Sequence, residues 1–202
     1  MRYVGILVMV VMMFVGAGQV LAETVTTGVQ GHLVASMVKP TPVGNATICL
    51  QKLQTPRTGG DQTFVHMGLR RVAKLGQTEF AYEPVLGWVG GWYPGSDGYT
   101  AGSKFTMKHG AFSVNLGFEW FTKVRDRELH TRFHSHNAGY TTHGWTVGGV
   151  YQNVDLVHKV APFVAYKWSP HVVMEGRWYQ SLNDDPKFRA RVNNGRLVLK
   201  IS

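Results

Sequence analysis

The chain has 202 residues, one cysteine and a formal net charge of +9. A single cysteine excludes an intramolecular disulfide and hence a stapled secreted scaffold, and the length suits one domain. The basic balance points to an anionic partner, whether nucleic acid, lipid headgroups or acidic solutes.

Arg2 places a positive charge ahead of an uncharged apolar run, Val4 to Val15 (VGILVMVVMMFV), and GAGQVLA follows with Val20 and Ala22 before Glu23. Charge, apolar core and small residues in that order predict a secretory signal over 1–22, leaving a single domain over 23–202. The competing reading is an uncleaved anchor. The stretch is near the lower length for a bilayer span, and Gly16 and Gly18 loosen it. Loss of Arg2 leaves 20 basic against 12 acidic residues, about +8. Export removes nucleic acid from the candidate partners and leaves lipopolysaccharide and small anionic solutes. Cys49 is expected to be buried and inert.

After the leader no uncharged stretch is long enough for a spanning helix, and no 3.6-residue stripe persists. A period of two does. Near the start, Val29, Leu33, Ala35 and Met37 oppose Gln30, His32 and Ser36. Over Thr78 to Tyr93, Phe80, Tyr82, Pro84, Leu86, Trp88 and Trp92 oppose Glu79, Ala81, Glu83, Gly87 and Gly91. Over Tyr99 to Lys108, Tyr99, Ala101, Phe105 and Met107 oppose Thr100, Gly102, Lys104, Thr106 and Lys108. Over Ala111 to Phe121, Phe112, Val114, Leu116, Phe118 and Trp120 oppose Ser113, Asn115, Gly117 and Glu119. At the end, Leu197, Leu199 and Ile201 oppose Arg196 and Lys200. Each split is that of a strand lying between an apolar and a polar environment.

Turn chemistry separates the runs: KPTPVG at Lys39, PRTGGD at Pro56, LGQ at Leu75, PGSDG at Pro94, KHG at Lys108 and VRDR at Val124. AGYTTHG at Ala138, DLVHK at Asp155, SPH at Ser169, NDDP at Asn183 and NNG at Asn193 follow. These breaks predict about twelve short strands, or eight to ten if some are not turns. Alternation alone does not say which face meets solvent. A soluble β protein would hide the apolar face in a core around a ligand, and a membrane barrel would turn it to lipid. Large aromatics near strand ends (Trp92, Tyr99, Trp120, Trp168, Trp178), charges on the polar face and hairpins in series without helices favour the barrel. The predicted fold is therefore all-β, an up-and-down antiparallel transmembrane β-barrel.

With its leader, serial hairpins and aromatic-rich face, the chain resembles the bacterial outer-membrane β-barrel proteins over nearly all of its mature length. Within that group it looks like the small oligogalacturonate- and sialate-specific porins. The resemblance implies an outer-membrane location, twelve strands and a basic lumen, with lipopolysaccharide, the outer-membrane assembly machinery and small anionic solutes as partners. The end, Leu199-Lys200-Ile201-Ser202, lacks the terminal aromatic residue usual in those proteins.

Two clusters carry the candidate chemistry. His130, Arg132, His134 and His136 occupy alternate positions of Glu128 to Tyr140 and so share one strand face, expected to line the lumen beside Glu119. Zinc binding would need a third ligand; His143 and Asp155 are unassigned candidates, and no spacing forces either into place. FHSHNAG (Phe133 to Gly139) is faintly similar to the His-x-Ser-Asn stretch of outer-membrane lipid A deacylases, which would make the chain a lipid-modifying enzyme. Ser135 lies one place out of phase with that motif and so points to the other face. The second cluster is Glu175 and Arg177, with Lys167 across the SPH turn and Arg189 and Arg191 beyond NDDP. Lys104, Glu119, Lys167, Glu175 and Arg177 are expected to face inward, because a charge on the lipid side costs about 2–4 kcal/mol at the midplane. No nucleotide-loop, dinucleotide-binding, paired-cysteine or metalloprotease motif is present, so no cofactor and no catalytic residue is assigned. The resulting expectation is a passive anion channel or a structural barrel.

Overall fold

Among the described residues, five two-residue turns join successive strands into hairpins. In this computed structural model, residues 29–55, 60–90, 98–123, 130–154, 157–182 and 194–202 are described. The leader expected over 1–22, Trp92, Arg189 and Arg191 lie outside them. The strands are β1 (Val29–Thr41), β2 (Gly44–Thr55), β3 (Gly60–Leu75), β4 (Thr78–Gly90), β5 (Gly98–His109) and β6 (Phe112–Lys123). They continue with β7 (His130–Thr142), β8 (Trp145–Val154), β9 (Val157–Ser169), β10 (Val172–Ser181) and β11 (Asn194–Ile201). Each strand pairs with its chain neighbours, β11 returns to β1, and the sheet closes into a barrel of eleven strands. Among the described residues there is no helix.

The turn chemistry is legible at atomic level. Gly76 and Gly110, each the first residue of its turn, have φ of 59° and 54°, as a Gly-first hairpin turn requires. In the β7–β8 turn both central residues, His143 at 48° and Gly144 at 82°, are left-handed, which is the type that favours Asn-Gly.

The expected barrel of about twelve strands is realised with eleven, and its closure differs in direction. Ten pairings are antiparallel, but β1 and β11 run parallel, with His32 beside Val198 and Ala35 beside Ile201. An odd number of alternating strands leaves the first and last pointing the same way, so the seam has no antiparallel option. The extra strand came from counting NDDP and NNG as two breaks. β10 pairs directly with β11, Tyr179 opposite Asn194, so no strand fits between them, and Asn194 and Gly195 belong to β11 itself. The other signals are broader than the turns they mark. Lys39 to Thr41 still belong to β1, and Ala138 to Thr142 still belong to β7.

The predicted face assignments hold on β1, β4, β5, β6 and β11. Leu116 and Trp120 are exposed on the outside, as are Leu86, Trp88, Tyr99 and Met37, whereas Glu119 on the opposite face of β6 is 9% exposed. The interior is not wholly polar. Val150, Ala161, Phe163, Ala165 and Tyr179 form a small apolar core on the inner wall of β8, β9 and β10, with Val173 packed against it. Elsewhere Val85, Val89, Phe121 and Val198 also point in.

The β7–β8 turn yields a stability test. His143 pays for a left-handed conformation that asparagine adopts more readily, so His143→Asn should stabilise the barrel by up to about 1 kcal/mol. A raised urea midpoint at unchanged slope is the expected readout, and a lowered one would contradict it.

Candidate functional site

The inner wall carries three polar groupings. On β3 and β6, His66 Nε2 lies 3.0 Å from Glu119 Oε2, with both side chains almost wholly buried. The two atoms lie within ion-pair distance of each other. Two glycines on the intervening strands make room for the pair. A Cβ on Gly87 would overlap His66 Cδ2, and one on Gly102 would meet Glu119 Cγ at 2.8 Å. Beside this pair, Thr47 Oγ1 donates to Glu83 Oε1, and Lys104 stands across from Glu83 in the β4–β5 register.

The second grouping is an amide ladder. Thr106 Oγ1 donates to Asn115 Oδ1 at 2.9 Å, and Asn115 Nδ2 donates to Asn137 Oδ1 at 2.8 Å. One strand further round, Gln152 Nε2 lies 3.4 Å from Ser135 Oγ.

The third grouping is cationic and spans β9, β10, β11 and β1. Glu175, 3% exposed, accepts from Arg177 Nε and from Lys200 Nζ, the latter at 2.6 Å. Arg177 Nη1 donates to Tyr179 Oη at 3.0 Å. Arg196 donates from Nε and Nη2 to Gln30 Oε1, at 3.3 and 2.9 Å. The Tyr179 ring, with no exposed surface, has Lys159 Nζ 4.8 Å and the Arg196 guanidinium 4.7 Å from its centre. His32 Nε2 sits 3.1 Å from Gln51 Oε1 nearby.

The structure places the expected interior residues as follows. Glu119, Glu175 and Arg177 are inside, and Lys104 shares their face. Lys167 pairs with Val173 on the inner face, but it is exposed beside the β9–β10 turn. The histidine strand is a correction. Glu119 stands opposite Phe133, and Asn115 opposite Asn137, so Phe133, Ser135, Asn137 and Gly139 take the inner face of β7. His134 and His136 are consequently outside, against Phe118, with ring centres 5.3 and 4.9 Å away. His136 stacks on Tyr151, whose hydroxyl lies 2.7 Å from His158 Nδ1. Neither histidine reaches Glu119. His130 and Arg132 hold register opposite Thr122 and Trp120, and their side chains lie outside those described. Ser135 and His134 point to opposite faces, as their spacing predicted. Among the described residues no three His, Cys, Asp or Glu side chains converge on a common point.

Lys159, Arg196 and Lys200 were not singled out from sequence as site residues. Each sits at an inward position of its strand, but only the register of β9, β10 and β11 brings them together. The alternation of Leu197, Leu199 and Ile201 against Arg196 and Lys200 was the available signal.

No known protein family, curated protein or solved structure matches the chain.

The His66–Glu119 pair makes a sharp stability prediction. His66→Ala should destabilise the barrel by about 3–5 kcal/mol, because it strands a buried carboxylate. The double variant His66→Leu/Glu119→Leu should recover most of that loss in urea unfolding. A double variant no better than the single one would show that the loss comes from the packing of the site and not from a stranded carboxylate.

Proposed function

We propose that this chain is a β-barrel of the bacterial outer membrane whose basic interior passes small anions. The inversion of polarity carries the reading. Met37, Ile48, Leu50, Met67, Leu86, Leu116, Val147 and Val164 cover the outside, while Glu119, Glu175, Arg196, His66, Gln62 and Gln152 are buried within. A soluble monomer rarely leaves so much contiguous apolar surface exposed. Lipid would cover it, and a sheet closed on itself presents no free edge strand to that lipid.

Most exposed aromatics are sorted by height, which supports the same reading, while Tyr82 and Phe105 pack together between the two levels. Phe80, Phe112, Tyr140, Trp145, Tyr166 and Trp168 lie near the two-residue turns, and Trp88, Tyr99, Trp120 and Trp178 lie near the other end. From Phe112 to Trp120 a strand rises about 20 Å along the barrel axis at ordinary pleat and tilt, close to the apolar band of outer-membrane barrels. Amphipathic rings at both edges of such a band suit the two lipid–water interfaces. Lipopolysaccharide would then contact one girdle, and the assembly machinery would insert the barrel.

The interior bears Lys104, Lys159, Arg177, Arg196 and Lys200 against Glu83, Glu119 and Glu175. A positive excess within a confined, low-dielectric passage attracts anions and repels cations. A second reading, a closed structural barrel, is favoured by Phe121, Phe163 and Tyr179, which point into the same interior.

Two experiments separate these readings. Leu116→Arg should cost assembly into lipid vesicles about 2–4 kcal/mol while Asn115→Arg is tolerated; equal tolerance of both would end the membrane reading. In planar bilayers with an asymmetric KCl gradient, the reversal potential should report anion preference, weakening with added salt and reduced in Lys104→Glu. A non-conducting wild type would leave the structural barrel, and a cation-selective one would refute the basic passage.

A further inference from the structure

We propose that the interior contains a defined oxyanion site, for a phosphoryl or carboxylate group, built by Lys159, Arg177 and Arg196 around Tyr179, with Lys200 joined to it through Glu175. The proposal deepens the basic-passage reading and rests on it for the route by which a solute arrives. Its own basis is a local imbalance of charge in the sheet.

Arg177 on β10 and Arg196 on β11 are direct cross-strand partners on the inner face. Like charges in that relation repel and are normally avoided. The neighbouring strand β9 adds Lys159, and the second inner position beyond Arg196, past Val198, adds Lys200. Glu175 is the carboxylate shared by this group, and it is engaged by Arg177 and Lys200. Arg196 is held by the neutral amide of Gln30. Among the described residues, neither Lys159 nor Arg196 has a carboxylate within ion-pair distance; the ring of Tyr179 serves both. Four cations thus line this stretch of wall with one carboxylate among them: Arg177 and Lys200 hold Glu175, while Lys159 and Arg196 lie over Tyr179, which is shut off from water.

Charges removed from water need partners, and a cation–π contact replaces only part of what a counter-anion gives. A bound oxyanion would turn the Arg177–Arg196 repulsion into a shared attraction, because guanidinium groups offer planar forks of donors to oxygen atoms. The site has an open side. The Lys200 side chain is 40% exposed, whereas that of Arg177 is 12% exposed. A small anion would meet Lys200 first and the two guanidinium groups behind it.

The test uses the full chain in phosphate-free detergent without lipopolysaccharide. Inorganic phosphate is titrated by calorimetry and thermal unfolding against sodium chloride at matched ionic strength, with acetate as a parallel arm. Saturable phosphate binding and a raised Tm beyond the chloride control are expected, with binding about tenfold weaker in Lys159→Met and in Arg196→Gln. Saturation by acetate as well would assign oxyanions generally, and saturation by phosphate alone would assign phosphoryl groups. Arg196→Gln should also raise Tm in anion-free buffer by relieving the like-charge pair, a gain no merely structural arginine would give. A phosphate response no greater than that of chloride, or variants that bind like the wild type, would overturn the site. A barrel that enters vesicles without responding to phosphate refutes this site alone. A barrel that binds phosphate but does not enter vesicles refutes the membrane reading instead.

Discussion

Closure of the sheet through β1 and β11 is the constraint on which every other assignment depends. An open sheet would expose the amides and carbonyls of two edges and leave each edge free to slip. Here His32 lies between Leu53 on one side and Val198 on the other, so even the first strand has both neighbours. Side chains alternate with a period of two, so closure imposes one parity on the whole barrel. Once Glu119 is inside, Gly102 and Phe133 are inside with it, and the assignment propagates strand by strand to Glu175 and Arg196. A slip of one residue at any seam would carry a strand's buried charges out and its leucines in.

That parity explains which features of the barrel are legible in the sequence. Where a strand's two faces differ strongly, as Phe112, Leu116 and Trp120 differ from Ser113, Asn115 and Glu119, composition alone identifies the inner face. β7 has no such contrast. Its faces are His134, His136, Ala138 and Tyr140 against Phe133, Ser135, Asn137 and Gly139, so choosing the more charged face for the interior gave the wrong answer. Turn residues have the same weakness. Gly76, Gly110 and Gly144 mark true hairpins through their positive φ, whereas the Asn-Gly of β11 lies within a strand. Sequence shows that a left-handed residue is affordable there, not that one is used.

Register also decides where the charge gathers. Along the chain, Lys159, Arg177, Arg196 and Lys200 are scattered among residues of both signs. Folding sets β10 between β9 and β11 and stacks three inward faces, with Phe163, Arg177 and Arg196 in one row. The acidic inner residues Glu83 and Glu119 lie instead on β4 and β6, with the amide of Asn115 and the hydroxyl of Thr106 between that region and β7. The excess of cations is thus set apart on β9, β10 and β11, where Glu175 is the one carboxylate among the described residues, whereas Glu83 and Glu119 on β4 and β6 have Lys104 and His66 beside them. A net charge per chain cannot convey such a separation, yet the separation fixes the field any solute inside would meet.

The outward histidines fit the same frame once amphipathicity replaces polarity as the criterion. Phe118, His134, Asn153 and His158 form one row across β6, β7, β8 and β9 on the outer surface. The row lies one outward position from Trp120, which stands in the girdle at the end away from the tight turns. An imidazole has an aromatic face and a polar edge, and these are used separately here: the faces pack on Phe118 and Tyr151, and the His158 edge meets the Tyr151 hydroxyl. At an apolar–polar boundary such a ring is at no disadvantage against tyrosine. On the proposed membrane reading, this stretch of the girdle is made of histidine and tyrosine where neighbouring strands use tryptophan. A histidine at alternate positions is therefore no marker of an aqueous interior in a barrel, because the rim accepts the same side chain from the opposite face.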